Sequence, residues 1–242
     1  MELSKRLRMV ASYVTDGYRL VDIGTDHAYI PIELVLEKRI PWAIAMDVNR
    51  GPLERAESNI REYGLSERIC TRLSDGFASL GLGEVDSAVI AGMGGGLTVR
   101  ILKEGKRVAG TLKECILQPQ SEIERVRAFL LKEGFLFIEE NMVEEEGKYY
   151  PMMKVAPPQS RTEEEGKYPD SLAWDETELL YGKYLLQSRN PVLRKYLERE
   201  QQIKRGILKG LNSQNSARIF ERRRELEKEL EHIEKGLMRY AV

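Results

Sequence analysis

The chain has 242 residues, of which 42% are hydrophobic and 32% charged, and its net charge is −1. Such a composition describes a soluble globular protein with one large core or a core plus an appendage, and it rules out global electrostatic attraction to nucleic acid. Two cysteines, Cys70 and Cys115, and two histidines, His27 and His232, are too few for a disulfide framework or a Cys/His metal cluster.

Both cysteines fall within expected strands and read as small buried residues of a reducing compartment. No apolar run approaches the length needed to cross a bilayer. The basic residues Lys5, Arg6 and Arg8 precede an apolar stretch too short and broken for a signal peptide. A cytoplasmic protein is the expectation, with no metal site.

In chain order, the first strong signal is Leu20 to Ile23, a short apolar run suited to a buried strand. Gly24 then allows a tight turn, and Ile30 to Leu36 continues at helical spacing. A glycine turn feeding a helix N-terminus presents N–H groups and the positive end of a helix dipole to a ligand. In a dinucleotide fingerprint the second glycine admits a pyrophosphate. Here Asp26 holds that position, and a carboxylate would repel phosphate while attracting the sulfonium and ammonium of S-adenosylmethionine. An ordinary strand-turn-helix with a polar turn is the plainer alternative.

Further acids stand at successive strand ends. Trp42 to Met46 reads as a second strand ending in Asp47, placed to accept hydrogen bonds from ribose hydroxyls. Ile69 to Leu73 reads as a third, closed by Ser74-Asp75-Gly76-Phe77, where Asp75 could bond the adenine edge. Asp86 to Ala91 reads as a fourth, followed by Gly92-Met93-Gly94-Gly95-Gly96, a run that suggests close backbone approach to a ligand. Asp favours turns for its own reasons. Repetition is what points to a site, because open α/β sheets bind ligands at the carboxyl ends of their strands.

After the strand Cys115-Ile116-Leu117 and Gln118-Pro119-Gln120, the stretch Ser121-Glu122-Ile123-Glu124 has capping-box form and predicts a helix to Lys132. Phe135 to Met142 and Tyr149 to Val155 predict an antiparallel pair at the sheet edge. Pro157-Pro158 and the polar stretch to Asp170 mark a boundary or loop. Asn190-Pro191 then starts a helix carrying Leu193, Tyr196, Leu197, Ile203, Ile207 and Leu211 at helical spacing. Asn212 to Ser216 breaks the pattern, and a second helix carries Ile219, Leu226, Leu230, Ile233 and Leu237. Together they predict an antiparallel, coiled-coil-like hairpin.

Asp22-Ile23-Gly24-Thr25-Asp26-His27-Ala28-Tyr29, followed by Asp47-Val48-Asn49, Asp75-Gly76 and Ala91-Gly92-Met93-Gly94-Gly95, resembles the bacterial tRNA (adenine-N1)-methyltransferases that modify adenosine 22. The likeness covers essentially the whole chain. One departure is visible: the family usually reads Gln-Pro-Asn where this chain has Gln118-Pro119-Gln120, although glutamine keeps both a donor and an acceptor. The resemblance implies an α/β, Rossmann-like S-adenosylmethionine-dependent methyltransferase domain at residues 1–158. A linker and helical hairpin domain follow at 159–242. The implied donor pocket contains Asp22, Gly24, Asp26, His27, Asp47, Asn49, Asp75, Gly76, Gly92 and Met93.

It also implies tRNA as partner, with no stable protein partner. The first helix of the hairpin carries Arg194, Lys195, Arg199, Lys204, Arg205 and Lys209 against Glu198 and Glu200, a phosphate-binding footprint or else a solvated coiled-coil face. Lys5, Arg6 and Arg8 are a second basic candidate, or simply a helix beside the pocket. Asp26 is the first candidate to stabilise the cationic methylated base, with His27 as a possible proton acceptor; donor binding, turn stabilisation and packing are their alternatives. Tyr29 could stack on the base or pack in its helix. An NAD-dependent oxidoreductase and a noncatalytic nucleoside- or RNA-binding protein are the competing classes.

Overall fold

The computed structural model describes residues 2–158, 174–211 and 217–241. Two compact units are present, residues 1–169 and 170–242. The polar stretch after Pro158 and the expected break at Asn212 to Ser216 lie outside the described residues. No helix among the described residues is long and apolar enough to cross a membrane.

The first unit is a seven-stranded sheet with helices between its strands. Its elements run α1 (Lys5–Ser12), β1 (Leu20–Ile23), α2 (Tyr29–Leu36), β2 (Ala43–Asp47), α3 (Arg50–Glu62), β3 (Ile69–Leu73), β4 (Ser87–Ala91), α4 (Gly95–Glu104), α5 (Lys106–Ala109) and β5 (Glu114–Gln118). Then come α6 (Ile123–Lys132), β6 (Leu136–Glu145) and β7 (Lys148–Ala156). The strand order is β3-β2-β1-β4-β5-β7-β6. The first five strands pair in parallel, whereas β7 is antiparallel to both β5 and β6. This is a Rossmann-like order, and β1 lies between β2 and β4, at the point where the winding reverses and a crevice opens.

Burial explains the strand sequences. Covered on both faces, β1 and β5 are buried along their whole length, including the polar Asp22, Glu114 and Gln118 among their apolar residues. β3 has one neighbour only, so part of it meets solvent, and Cys70 is exposed there instead of buried as expected. Cys115, in the interior β5, is buried. The expected edge pair forms and extends further than the β-prone runs alone. Its second strand, β7, is the inner one, which places β6 at the edge.

The capping box expected at Ser121 does not form. Glu122 takes the N-cap position of α6 with a left-handed φ of 50° and no side-chain cap. The segment caps a different helix: the Ser121 carbonyl accepts from Gly95 N–H at 3.0 Å, and Glu122 Oε2 accepts from Gly96 N–H at 3.0 Å. These donors belong to the first turn of α4, which has no intrahelical partners for them. A Cβ on Gly95 would strike the Ser121 carbonyl and come within 2.8 Å of that of Glu122, so this glycine serves protein-on-protein packing.

The second unit is helical: α7 (Glu176–Tyr181), α8 (Lys183–Gln187), α9 (Pro191–Leu211) and α10 (Ala217–Met238). The Asn190 side chain accepts from Val192 and Leu193 N–H at 2.9 and 3.1 Å, the cap expected for α9. α9 packs on α10, with Leu193, Leu197, Leu226, Leu230 and Ile233 buried. Lys204 bridges to Glu229 and Arg205 to Glu234, both at 2.8 Å. The apolar stripe is buried only in part, since Ile203 and Ile207 are each 44% exposed.

Candidate active site

β1 ends in a turn held by its neighbour. Gly24 adopts φ +78°, and its N–H and that of Thr25 both donate to the Met46 carbonyl of β2, at 2.8 and 2.9 Å. A Cβ at Gly24 would collide with the Met93 methyl, which joins the β4 glycine loop to this turn. Thr25 Oγ1 then accepts from Ala28 N–H at 3.1 Å, closing the loop with Ala28 in the left-handed region at φ 56°. That conformation costs a residue with a Cβ roughly 1–2 kcal/mol. Ala28 is also the N-cap of α2 and supplies no side-chain bond, so the helix start carries no side-chain cap.

A cavity of about 380 Å³ lies against this turn, lined by Arg6, Asp22, Gly24 to Ile30, Gly92 and Gln120 among others. Asp22, near the end of β1, is only 7% exposed. Burial pushes its carboxyl up to about 6; the charge of Asp47 adds to this and a hydrogen bond from Thr25 opposes it. A buried carboxylate facing a cavity calls for a cation there. The remaining cavity charges differ in sign: Arg6 Nη1 donates to the buried Gln118 Oε1 at 2.8 Å, and its guanidinium lies 5.5 Å above the Tyr150 ring. Gln120 donates its backbone N–H to the Met93 carbonyl at 2.8 Å and lines the same cavity.

Asp26 and His27 line the same cavity. Arg55 of α3 grips Asp26 Oδ1 through Nε at 3.0 Å and through Nη2. Asp26 Oδ2 is 3.4 Å from His27 Nε2, and Asn59 Nδ2 donates to the His27 carbonyl at 3.0 Å while lying 3.5 Å from Nδ1. The His27 ring stacks on Tyr29, with centroids 4.8 Å apart and planes 7° from parallel.

The other expected donor residues are distributed around this cavity without all lining it. Asp47 Oδ1 accepts from Asn49 N–H at 2.7 Å, and the adjacent Val48 is 58% exposed, an open apolar surface beside an acid. Asp75 is held by Arg100 in a two-pronged pair at 2.9 and 3.1 Å. With Gly76 it lines a second cavity of about 500 Å³, shared with Phe77, Leu80, Ile101 and Glu104. Of the glycine loop only Gly92, at φ +80°, lines the first cavity, and Gly95 packs against the 121–122 segment instead.

The basic candidates also separate. Arg6 points to the cavity; Lys5 donates to the Glu144 carbonyl at 3.2 Å and Arg8 pairs with Glu2 at 3.3 Å, both exposed. Arg194, paired with Glu198 at 2.8 Å, and Lys195 and Arg199 are exposed. Lys204, whose side chain is 20% exposed, binds Glu200 and Glu229. Lys204 and Arg205 therefore hold α9 to α10. Arg55, Asn59 and Arg100 had no signal in the sequence, since each sits in a helix with no motif around it and meets its partner 25 to 32 residues away.

A methyltransferase domain family model matches residues 3–153. The tRNA (adenine(22)-N(1))-methyltransferase of Bacillus subtilis (strain 168) is 39% identical over 153 residues, which cover 63% of this chain and 64% of that protein. Two solved structures match over nearly the whole length. The B. subtilis M1A22 tRNA methyltransferase TrmK is 32% identical with a TM-score of 0.80, covering 98% of this chain and 99% of that one. M. capricolum TrmK in complex with the cofactor product S-adenosyl-homocysteine is 28% identical with a TM-score of 0.81, covering 99% of both.

Proposed function

The chain belongs to the bacterial tRNA (adenine(22)-N1)-methyltransferase family, and on that footing we propose that it methylates N1 of adenosine 22 in tRNA, with S-adenosylmethionine as donor. The observation that carries this reading is Asp22, a buried carboxylate on a cavity at the reversal point of the sheet. The cavity's charges suit a zwitterionic donor: Asp22 for an ammonium, Arg6 and the start of α2 for a carboxylate. Asp47 suits ribose hydroxyls and the open face of Val48 an adenine ring.

S-adenosylmethionine, when bound, supplies a methyl group that adenine N1 takes through its in-plane lone pair, the electron pair of the broken S–CH₃ bond remaining on sulfur. The nucleophile needs no prior deprotonation, so this chain's residues act by positioning and by placing charge. N1 is occupied in a paired base, and the adenine must be exposed before it enters the cavity. Asp26, on the cavity wall, is placed to offset the positive charge that methylation leaves on the base. A tRNA substrate supports the cytoplasmic reading.

The direct test is nucleoside mass spectrometry of unmodified tRNA incubated with the protein and labelled donor. The expected product is labelled N1-methyladenosine at position 22, and its absence from a folded, donor-binding protein would leave a noncatalytic binder. Saturable NAD binding without a response to the methyl donor would point to an oxidoreductase.

Contact with tRNA is assigned to the exposed Arg194, Lys195 and Arg199 of α9, with Lys5 and Arg8 as a second patch. Replacing the three α9 residues with glutamine is expected to weaken tRNA binding and to reduce the slope of log K against log salt by about 3. Donor affinity should not change. Filter binding across a salt series reads both quantities, and an unaltered slope would remove α9 from the interface.

A further inference from the structure

We propose that His27 and Tyr29 form the stacking platform for the target adenine, with His27 working through its ring face and not as a proton acceptor. This rests on the adenine-methylation reading above. The two rings are already stacked in near-parallel planes, 4.8 Å between centroids, within the range of favourable aromatic pairs. Tyr29, the first residue of α2, packs against the core from its partly buried position. The His27 side chain is 35% exposed, and His27 and Tyr29 both line the cavity, so the stacked pair borders the space that a base would enter.

The ring's edge is occupied. Asn59 Nδ2 lies 3.5 Å from Nδ1, and Nε2 faces Asp26 Oδ2 at 3.4 Å, an arrangement complementary to the tautomer that carries its proton on Nε2. Arg55 fixes Asp26 from the other side, and Asn59 also holds the His27 carbonyl. Helix α3 thereby sets the plane of the imidazole through its edge and leaves its face free.

A fixed plane matches the demand of the reaction. Adenine N1 receives the methyl group in the plane of the base, so the base must be gripped by its face with its edge left clear. A stacked platform does this, and the cationic product gains from lying over aromatic faces. A proton acceptor at His27 would be redundant, since the N1 lone pair carries no proton.

The test compares His27→Ala, His27→Phe and Tyr29→Ala by steady-state kinetics with tRNA. Calorimetry with S-adenosylmethionine serves as the control for folding and the donor site. Stacking on a base is worth about 5- to 150-fold in binding, so kcat/KM for tRNA is expected to fall about 10- to 100-fold in both alanine variants. A fall in donor affinity as large as the fall in kcat/KM would place the two rings in the donor site and overturn the platform. His27→Phe, which keeps the ring face and removes both nitrogens, should recover most of that loss with a pH profile superimposable on the parent's. His27→Phe as impaired as His27→Ala, or a lost limb in its pH profile, would overturn the platform in favour of proton transfer. Parental activity in both alanine variants would also overturn it. Failure of the parent to form N1-methyladenosine would instead overturn the functional reading.

Discussion

Asp22→Asn is expected to lower affinity for S-adenosylmethionine about 10- to 100-fold, the worth of a hydrogen bond to a charged group in a buried site, and to stabilise the free protein above pH 6. Both effects come from one property. The carboxyl sits in the interior with its pKa raised from 3.8 to about 6 by burial, so the folded protein favours the protonated form. The contribution of Asp22 to stability is therefore greatest in acid, falls as pH rises between 3.8 and 6, and stays lower above that. A rise of about two pKa units corresponds to about 3 kcal/mol, which is the most that asparagine should restore at neutral pH. Below pH 4 the two proteins should melt alike.

Donor binding reverses the preference, because an ammonium beside Asp22 favours the ionised form. Parental affinity should rise with pH up to about 6 and then level off, while the asparagine variant should show no such rise. Calorimetry at pH 5 and 7.5, with thermal melts over the same range, reads both arms. An asparagine variant that bound the donor as tightly as the parent would remove Asp22 from the donor site. Stability given up at a binding residue is a common trade in enzymes.

Arg127→Ala carries the largest expected effect on folding. Arg127 of α6 donates through Nε to Glu140 Oε1 of β6 at 2.8 Å, with side chains 1% and 0% exposed. Removing one member leaves the other charge buried, which costs about 3–5 kcal/mol, and for a unit of this size lowers Tm by roughly 10 °C. Replacing both together, as Arg127→Met with Glu140→Leu, should recover much of the loss, since apolar residues of similar volume avoid the desolvation penalty. Neither residue lines the Asp22 cavity, so donor affinity of the folded fraction should be unchanged. A single variant melting within a degree of the parent would show that the pair does not tie α6 to the edge hairpin.

Much of the site was readable from strand ends. The run Leu20 to Ile23 reports its strand directly, because a strand buried on both faces of a parallel sheet is mostly apolar. The acids that close β1, β2 and β3 could be placed at one edge of the sheet for the same reason. Cys70 was misread because the run Ile69 to Leu73 does not reveal that its strand lies at the edge, with one neighbour and an open face. Ser121 and Glu122 were misread because a capping pattern names a donor's need without saying whose: their oxygens serve α4, 26 residues away. The hairpin stripe over-promised burial for Ile203 and Ile207, since periodicity shows which face is apolar and not how far a partner covers it.

By itself the sequence determined the order of elements, the parallel sheet, the acidic turn that disfavours phosphate, and the resemblance that places the chain in its family. These depend on residues close together in the chain, where spacing maps onto geometry. Tertiary structure alone decided that Arg6 faces the cavity through a partner 112 residues distant. It also decided that α3 locks Asp26 and His27, that Arg100 holds Asp75, and that Lys204 and Arg205 join two helices. Each outcome depends on which elements lie side by side once the chain has packed, and local patterning carries no record of those neighbours.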